Sequence, residues 1–317
     1  MRAFLAGIAA IVFASTAYAA PHPCTYDDLM PAYIAFLDKT KGDTPEQRAD
    51  AFVNDFAAAH PDFYGADSFR DGHLRKMALR YFDPAQRKVF PGFAPVTDAQ
   101  VIAMGRVVGP AFAREQQRFV KVFRDFDCKT VVGFGPAFFS FDGHTDDFGG
   151  RNHLLFGVDL IAMLHRPADM PAFFDHELFH VYHAQIVSQK VFDNDTGWWN
   201  LWCEGLATYV SQRMNPGLDA QQVLWFPSDL AARMEPLRAH AAELLLHDID
   251  AHGGQSGRWF SSGQSVEGLP PRAGYYLGYV FAKHMGDGHP LPQLARYDQT
   301  QLRPAAIGFL DELAHGR

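Results

Sequence analysis

Apolar positions recur at helical spacing over residues 27–38, 46–59, 67–81 and 98–126, which predicts four helices in the first part of the chain. Pro45 and Asp98 stand where helix starts are expected, and the Pro/Gly-rich stretch 91–95 separates the last two. Between 130 and 166 the pattern shortens. Segments 131–134 and 137–141 are β-branched and aromatic, Gly143 and 146–150 supply turns, and 153–159 reads as a further strand. Helical spacing returns over 170–189, 200–214, 228–249, 272–285 and 304–314, with Asn215-Pro216-Gly217 stopping the second of these. Residues 253–271 form a long loop rich in Gly, Ser and Pro, and no internal repeat appears. The expectation is an α+β chain, mostly helical, with a small mixed sheet.

The start of the chain reads as an export signal. Met1-Arg2 is positive, residues 3–14 are apolar, and Ala17 and Ala19 supply the small residues of a cleavage site. That apolar run is too short to span a bilayer, which takes about 20 residues. Pro21-His22-Pro23 ahead of Cys24 lacks the small residues of a lipoprotein signal. The division expected is a signal peptide at 1–19, a helical region at 20–126 and a main domain at 127–317. The product is a bacterial periplasmic or secreted protein without a membrane span.

Export permits disulfides. Of three cysteines, Cys24 and Cys128 are the expected pair, and Cys203, inside an apolar helical run, is the expected free thiol; sequence alone leaves the pairing open. A composition of 48% hydrophobic and 20% charged residues excludes wholesale disorder. A net charge of −8 with no long basic run argues against a nucleic-acid partner. Oligomeric state is not legible.

The chemistry concentrates at 173–183, Phe-Phe-Asp-His-Glu-Leu-Phe-His-Val-Tyr-His. His176-Glu177-x-x-His180 places two imidazoles one helical turn apart on one face, where both reach a single zinc ion. Glu177 sits one residue round from the first ligand, placed to take a proton from water. With 15 His and 8 Glu in the chain, chance matches are expected only about 0.02 times. Asp169 is placed to cap this helix, and Pro171 falls in its first turn. A catalytic zinc takes three protein ligands and keeps one position open. Glu204, an acid in an apolar stretch, is the third candidate, since a lone buried carboxylate is costly unless paired or metal-bound.

His176-Glu177-x-x-His180 followed by Glu204-Gly-Leu-Ala-Thr-Tyr resembles the gluzincin branch of the zincin metallopeptidases. Pro271-Arg272-Ala-Gly-Tyr275-Tyr276-Leu-Gly278-Tyr279 resembles a helix of a bacterial family of predicted zinc-dependent proteases. The resemblance covers about residues 130–285 and implies a zincin-like domain with its sheet beside the active-site helix. It also implies Zn²⁺ as cofactor and a peptide or protein substrate, paired along strand 153–159 as an edge strand. Where thermolysin-like members place a supporting Asp, this chain has Thr208.

Tyr275 and Arg272, three apart on a helix, are the candidate oxyanion donors. His183, on the same face as His176, is a supporting residue, a substitute ligand or a core histidine. Trp198, Trp199 and Trp202 either wall a substrate pocket or pack. The function expected is zinc-dependent peptide hydrolysis. The alternatives are a zinc hydrolase of cell-wall peptides and a secreted zinc-binding protein without turnover.

Overall fold

A computed structural model describes residues 22–87, 93–187 and 195–316. Among these the chain is mostly helical, with one four-stranded mixed sheet ordered β1-β2-β4-β3. The strands are β1 (Tyr26–Asp28), β2 (Val131–Gly135), β3 (Gly143–Phe148) and β4 (Arg151–Gly157). β1, β2 and β4 run parallel, and β3 pairs antiparallel with β4. The helices used below are α1 (Met30–Lys39), α2 (Pro45–Ala51), α3 (His73–Phe82), α4 (Asp98–Val122), α5 (Val158–Leu164) and α6 (Met170–Ile186). They are followed by α7 (Gly197–Met214), α8 (Arg238–His247), α9 (Ala273–Gly286) and α10 (Gln299–His315).

Local chemistry sets the helix boundaries. Thr44 with Gln47 and Thr97 with Gln100 form reciprocal capping boxes at the starts of α2 and α4. Asp298 caps α10 through Thr300 N–H at 2.7 Å, so that helix begins five residues before Pro304, where a start is expected from sequence. The expected helix 228–249 is instead three pieces, Leu230–Met234, a 3₁₀ turn Glu235–Leu237 and α8, because Pro236 has no N–H to continue the ladder. Asp169 stands ahead of α6, but its carboxylate turns back to the N–H and guanidinium of Arg166 and caps the preceding turn instead.

The sheet departs from expectation in four places. β1 forms at the start of the expected helix 27–38, because residues 26–28 pair in parallel with β2. Segment 137–141 is not a strand: Phe138 and Phe139 adopt left-handed φ of 54° and 60°, and buried Asp159 accepts the N–H groups of Ala137 and Phe139. Its aromatic run is apolar because the loop is buried, not because it alternates. β3 forms where turns are expected, because a solvated edge strand carries polar residues that mimic loop composition. β4 lies inside the sheet between β2 and β3, so the edge is β3 and not 153–159.

α6 is the central element. Met170, Phe173, Phe174, Leu178, Phe179 and Tyr182 bury most of its circumference. Phe174 meets Phe156 of β4 at 5.3 Å and Phe112 of α4 at 5.4 Å, joining sheet, α4 and α6 in one layered core. The core continues from Tyr33 and Phe52 through Phe134 to Trp202 and Leu277. No helix among the described residues is long and apolar enough to cross a membrane.

Cys24 and Cys128 are disulfide-bonded across 104 residues of sequence, and Cys203 is a buried free thiol. The bond staples the starts of β1 and β2, whose register begins with Tyr26 beside Val132. Three residue pairs of ladder alone make a weak edge. Replacing both cysteines by serine should lower the unfolding free energy by about 2–5 kcal/mol, measured by denaturant titration, with unchanged stability as the contrary result.

A second anchor holds the segment leading to α9. Buried Asp248 accepts Gln255 Nε2 at 2.9 Å, Trp259 Nε1 at 3.1 Å and Arg258 Nη2. Trp259 in turn accepts Gly274 N–H at 2.8 Å. Burial alone would raise the Asp248 pKa, but these donors outweigh it and pull it to about 2. The stabilisation is therefore complete above the ordinary carboxylate value of about 4 and is lost as pH falls through about 2. Asp248→Asn should be less stable than wild type at pH 7, with the gap closing in acid; a gap independent of pH would contradict this anchor.

Candidate metal centre

α6 and α7 bring the three expected ligands together. His176 and His180, four apart on α6, direct their Nε2 atoms to one point, 3.1 Å apart. Glu204 enters from α7, its Oε2 lying 3.4 Å from His176 Nε2 and 3.5 Å from His180 Nε2. These three make the group of potential ligands found among the described residues. Tetrahedral zinc with bonds of about 2.0–2.2 Å spaces its ligand atoms about 3.2–3.6 Å apart, so the separations fit. Glu204 Oε2 is buried without a hydrogen bond of good geometry, a need a cation would meet. Two imidazoles and a carboxylate are a donor set suited to zinc.

The electrostatics follow from burial and charge. Burial pushes the His176 pKa down to about 4. Burial also acts to lower His180, but the Glu204 and Glu177 carboxylates outweigh it and hold its pKa above the ordinary imidazole value. For Glu204, burial is outweighed by the two histidines, and its pKa falls well below the carboxylate range.

Glu177 projects beside the ligand group toward the first residue of β3. A Cβ added at Gly143 would lie 2.9 Å from Glu177 Cδ, so a larger residue there would push the carboxylate aside. Burial, with Asp142 and Glu204 nearby, raises the Glu177 pKa to about 8.

Tyr275 reaches the centre through a helix crossing. α7 and α9 touch backbone to backbone at Gly205 and Gly278, where a Cβ on either would strike the other helix. The crossing sets the Tyr275 ring 6.4 Å from that of His176 and its hydroxyl within reach of Glu204. Arg272, with φ of 64° ahead of α9, lays its guanidinium 4.1 Å over the Tyr275 ring. Its Nη1 donates to the carbonyls of Leu224 at 3.3 Å and Phe226 at 3.0 Å. Arg272 thus orients Tyr275 and holds the bend at 224–226.

The remaining candidates are placed elsewhere. His183 lies one turn further along α6, its Nδ1 3.8 Å from Cys203 Sγ and its ring stacked on Phe179, outside the ligand group. Thr208 donates to its own helix at Glu204 O, 2.8 Å away. Trp202 stacks on Tyr297 in the core, and Trp199 sits beside His183.

The tryptophan at the centre is Trp225, unmarked in the sequence, whose ring lies 5.5 Å from His176. Its backbone φ of 53° is strained for an aromatic residue. Also unforeseen is the clamp behind His176. Asp175 is fully buried and takes Arg118 Nη2 and, at 2.7 Å, Asn215 Nδ2. Arg118 Nη1 donates to Met214 O at 2.9 Å, tying α4, α6 and the end of α7 together. Asp175 directly precedes the motif, and Asn215 reads from sequence only as a helix stop.

No family model, curated protein or solved structure matches the chain.

Removing a true ligand weakens metal binding more than removing an outer neighbour, which costs about 10–100-fold. Glu204→Ala should bind zinc more than about 100-fold more weakly than wild type, and His183→Ala should retain wild-type zinc content, both by elemental analysis and competition with a chromogenic chelator. The reverse pattern would remove Glu204 from the ligand set.

Proposed function

We propose that the chain is an exported zinc-dependent peptidase with a zincin-like catalytic centre. The observation that carries this reading is one constellation: three ligand atoms within 3.1–3.5 Å of each other, with the Glu177 carboxylate beside them and against the edge strand of the sheet. His176, His180 and Glu204 would hold the metal. When bound, zinc supplies Lewis acidity that polarises a scissile carbonyl and makes water nucleophilic near neutral pH.

The chain's own residues supply the rest. Glu177 takes a proton from the attacking water and passes it to the leaving amine. The Tyr275 hydroxyl, steadied by the Arg272 guanidinium over its ring, donates to the developing oxyanion. β3, bonded on one side only among the described residues, offers its other edge to an extended peptide whose scissile bond then lies near Glu177. A purely structural zinc site closes its fourth position with a protein ligand and has no need of a base, whereas the ligand group found among the described residues has three members, with Glu177 beside it. The Cys24–Cys128 bond is at home in an oxidising compartment, consistent with export.

Glu177→Gln should keep zinc and fold but lose about 10²–10⁴-fold in kcat, because an amide oxygen is not a base. Tyr275→Phe keeps the ring and should lose about 10²–10³-fold in kcat with little change in KM. Steady-state hydrolysis of a quenched peptide measures both. Full activity of Glu177→Gln would end the peptidase reading; full activity of Tyr275→Phe would reduce Tyr275 to packing.

A further inference from the structure

Asp142 precedes β3, and its polar groups face three separate parts of the fold. Oδ1 accepts Gly143 N–H at 3.0 Å. Oδ2 lies 3.3 Å from His165 Nε2. Its main-chain carbonyl accepts Gly157 N–H at 3.1 Å, at the end of β4. His165 is buried, its ring 4.5 Å from Phe173 of α6 and 5.4 Å from Trp225, the residue that flanks His176. The chain of contacts runs from the metal helix, through His165 and Asp142, to Gly143 and so to the Glu177 carboxylate.

The need for such a chain is physical. An edge strand has one ladder instead of two, and glycine at its start adds backbone freedom. Left to the β4 ladder alone, the first turn of β3 would be the loosest part of the sheet, yet it adjoins the candidate base. A further carboxylate beside Glu177 and Glu204 also adds like charge, so its presence calls for a partner, which His165 provides.

We propose that Asp142 and His165 form a latch that holds the start of β3 against Glu177 and so sets where an extended peptide lies relative to the metal ligands. The proposal rests on the peptidase reading for its substrate, and both are positioning residues. The latch acts on substrates long enough to run along β3. It does not act on metal binding or on substrates confined to the two residues flanking the scissile bond.

The test uses zinc-loaded wild type, Asp142→Ala, Asp142→Asn and His165→Phe. Two probes carry the same scissile bond, a quenched octapeptide and an acylated dipeptide amide. Asp142→Ala and His165→Phe should lower kcat/KM for the octapeptide about 10–100-fold, chiefly through KM, with zinc content unchanged and a far smaller effect on the dipeptide amide, which in Asp142→Ala feels only the loss of a charge near Glu177. Asp142→Asn keeps an oxygen for Gly143 N–H and should recover most of the loss. Hydrogen exchange gives an activity-free readout: the amides of 143–145 should exchange faster in Asp142→Ala than in wild type, while β2 and the inner part of β4 stay protected. Equal effects on both probes, or unchanged exchange at 143–145, would overturn the latch. If zinc-loaded wild type cleaves neither probe, the peptidase reading falls and the exchange result alone decides the latch.

Discussion

The candidate centre depends on a fixed distance between two helices. His176 and His180 sit on α6 and Glu204 on α7, and a shift of one helix by an ångström would take Oε2 out of ligand range. Two contacts oppose such a shift. Ser211 Oγ donates to Ala172 O at 2.6 Å, directly between the helices. Buried Asp175, one residue from His176, holds Arg118 and Asn215, and Arg118 also takes the last carbonyl of α7. A buried carboxylate stripped of such partners is strongly destabilising, so the clamp fixes geometry as well as charge. The close packing of Gly205 on Gly278 then sets α9, and with it Tyr275, at a matching depth.

Charge is arranged around that frame. Three carboxylates, Glu204, Glu177 and Asp142, converge on a largely buried space, and two of them face a bonded partner. Glu204 faces the two histidines, Asp142 faces His165, and the Arg272 guanidinium acts on Asp142 and Glu177 together. Glu177 has no cation bonded to it in hydrogen-bond geometry among the described residues, and burial lifts its pKa to about 8. A carboxylate raised toward neutrality beside one held ionised is the arrangement that separates a proton carrier from a charge anchor.

The parts legible in sequence are those governed by local periodicity. The two histidines and Glu177 follow from helical spacing alone, and Glu204 from the anomaly of an acid in an apolar helix. The N-terminal helices follow the same spacing in outline: α2 and α4 start at their capping boxes, but residues 27–28 pair in β1, and 67–81 divides into a 3₁₀ turn at Asp67–Phe69 and α3. The rest depends on contacts distant in sequence. β3 is polar because it is an edge, so no alternation marks it. The loop at 137–141 is apolar because tertiary packing buries it. Trp225 lies 49 positions from His176 and meets it through tertiary contacts, its ring packed on His165 and Phe173 and its flanking carbonyls held by Arg272. Asp142 and His165 are ordinary residues until the sheet and α6 place them on either side of the same space.

The activity proposed for this constellation is zinc-dependent peptide hydrolysis. Its most direct test is cleavage of a quenched peptide library by the purified protein, stripped with chelator and then restored with one equivalent of zinc. The stripped protein should cleave nothing, and adding zinc should restore cleavage. Cleavage indifferent to chelator, or none by protein carrying its full zinc, would contradict it.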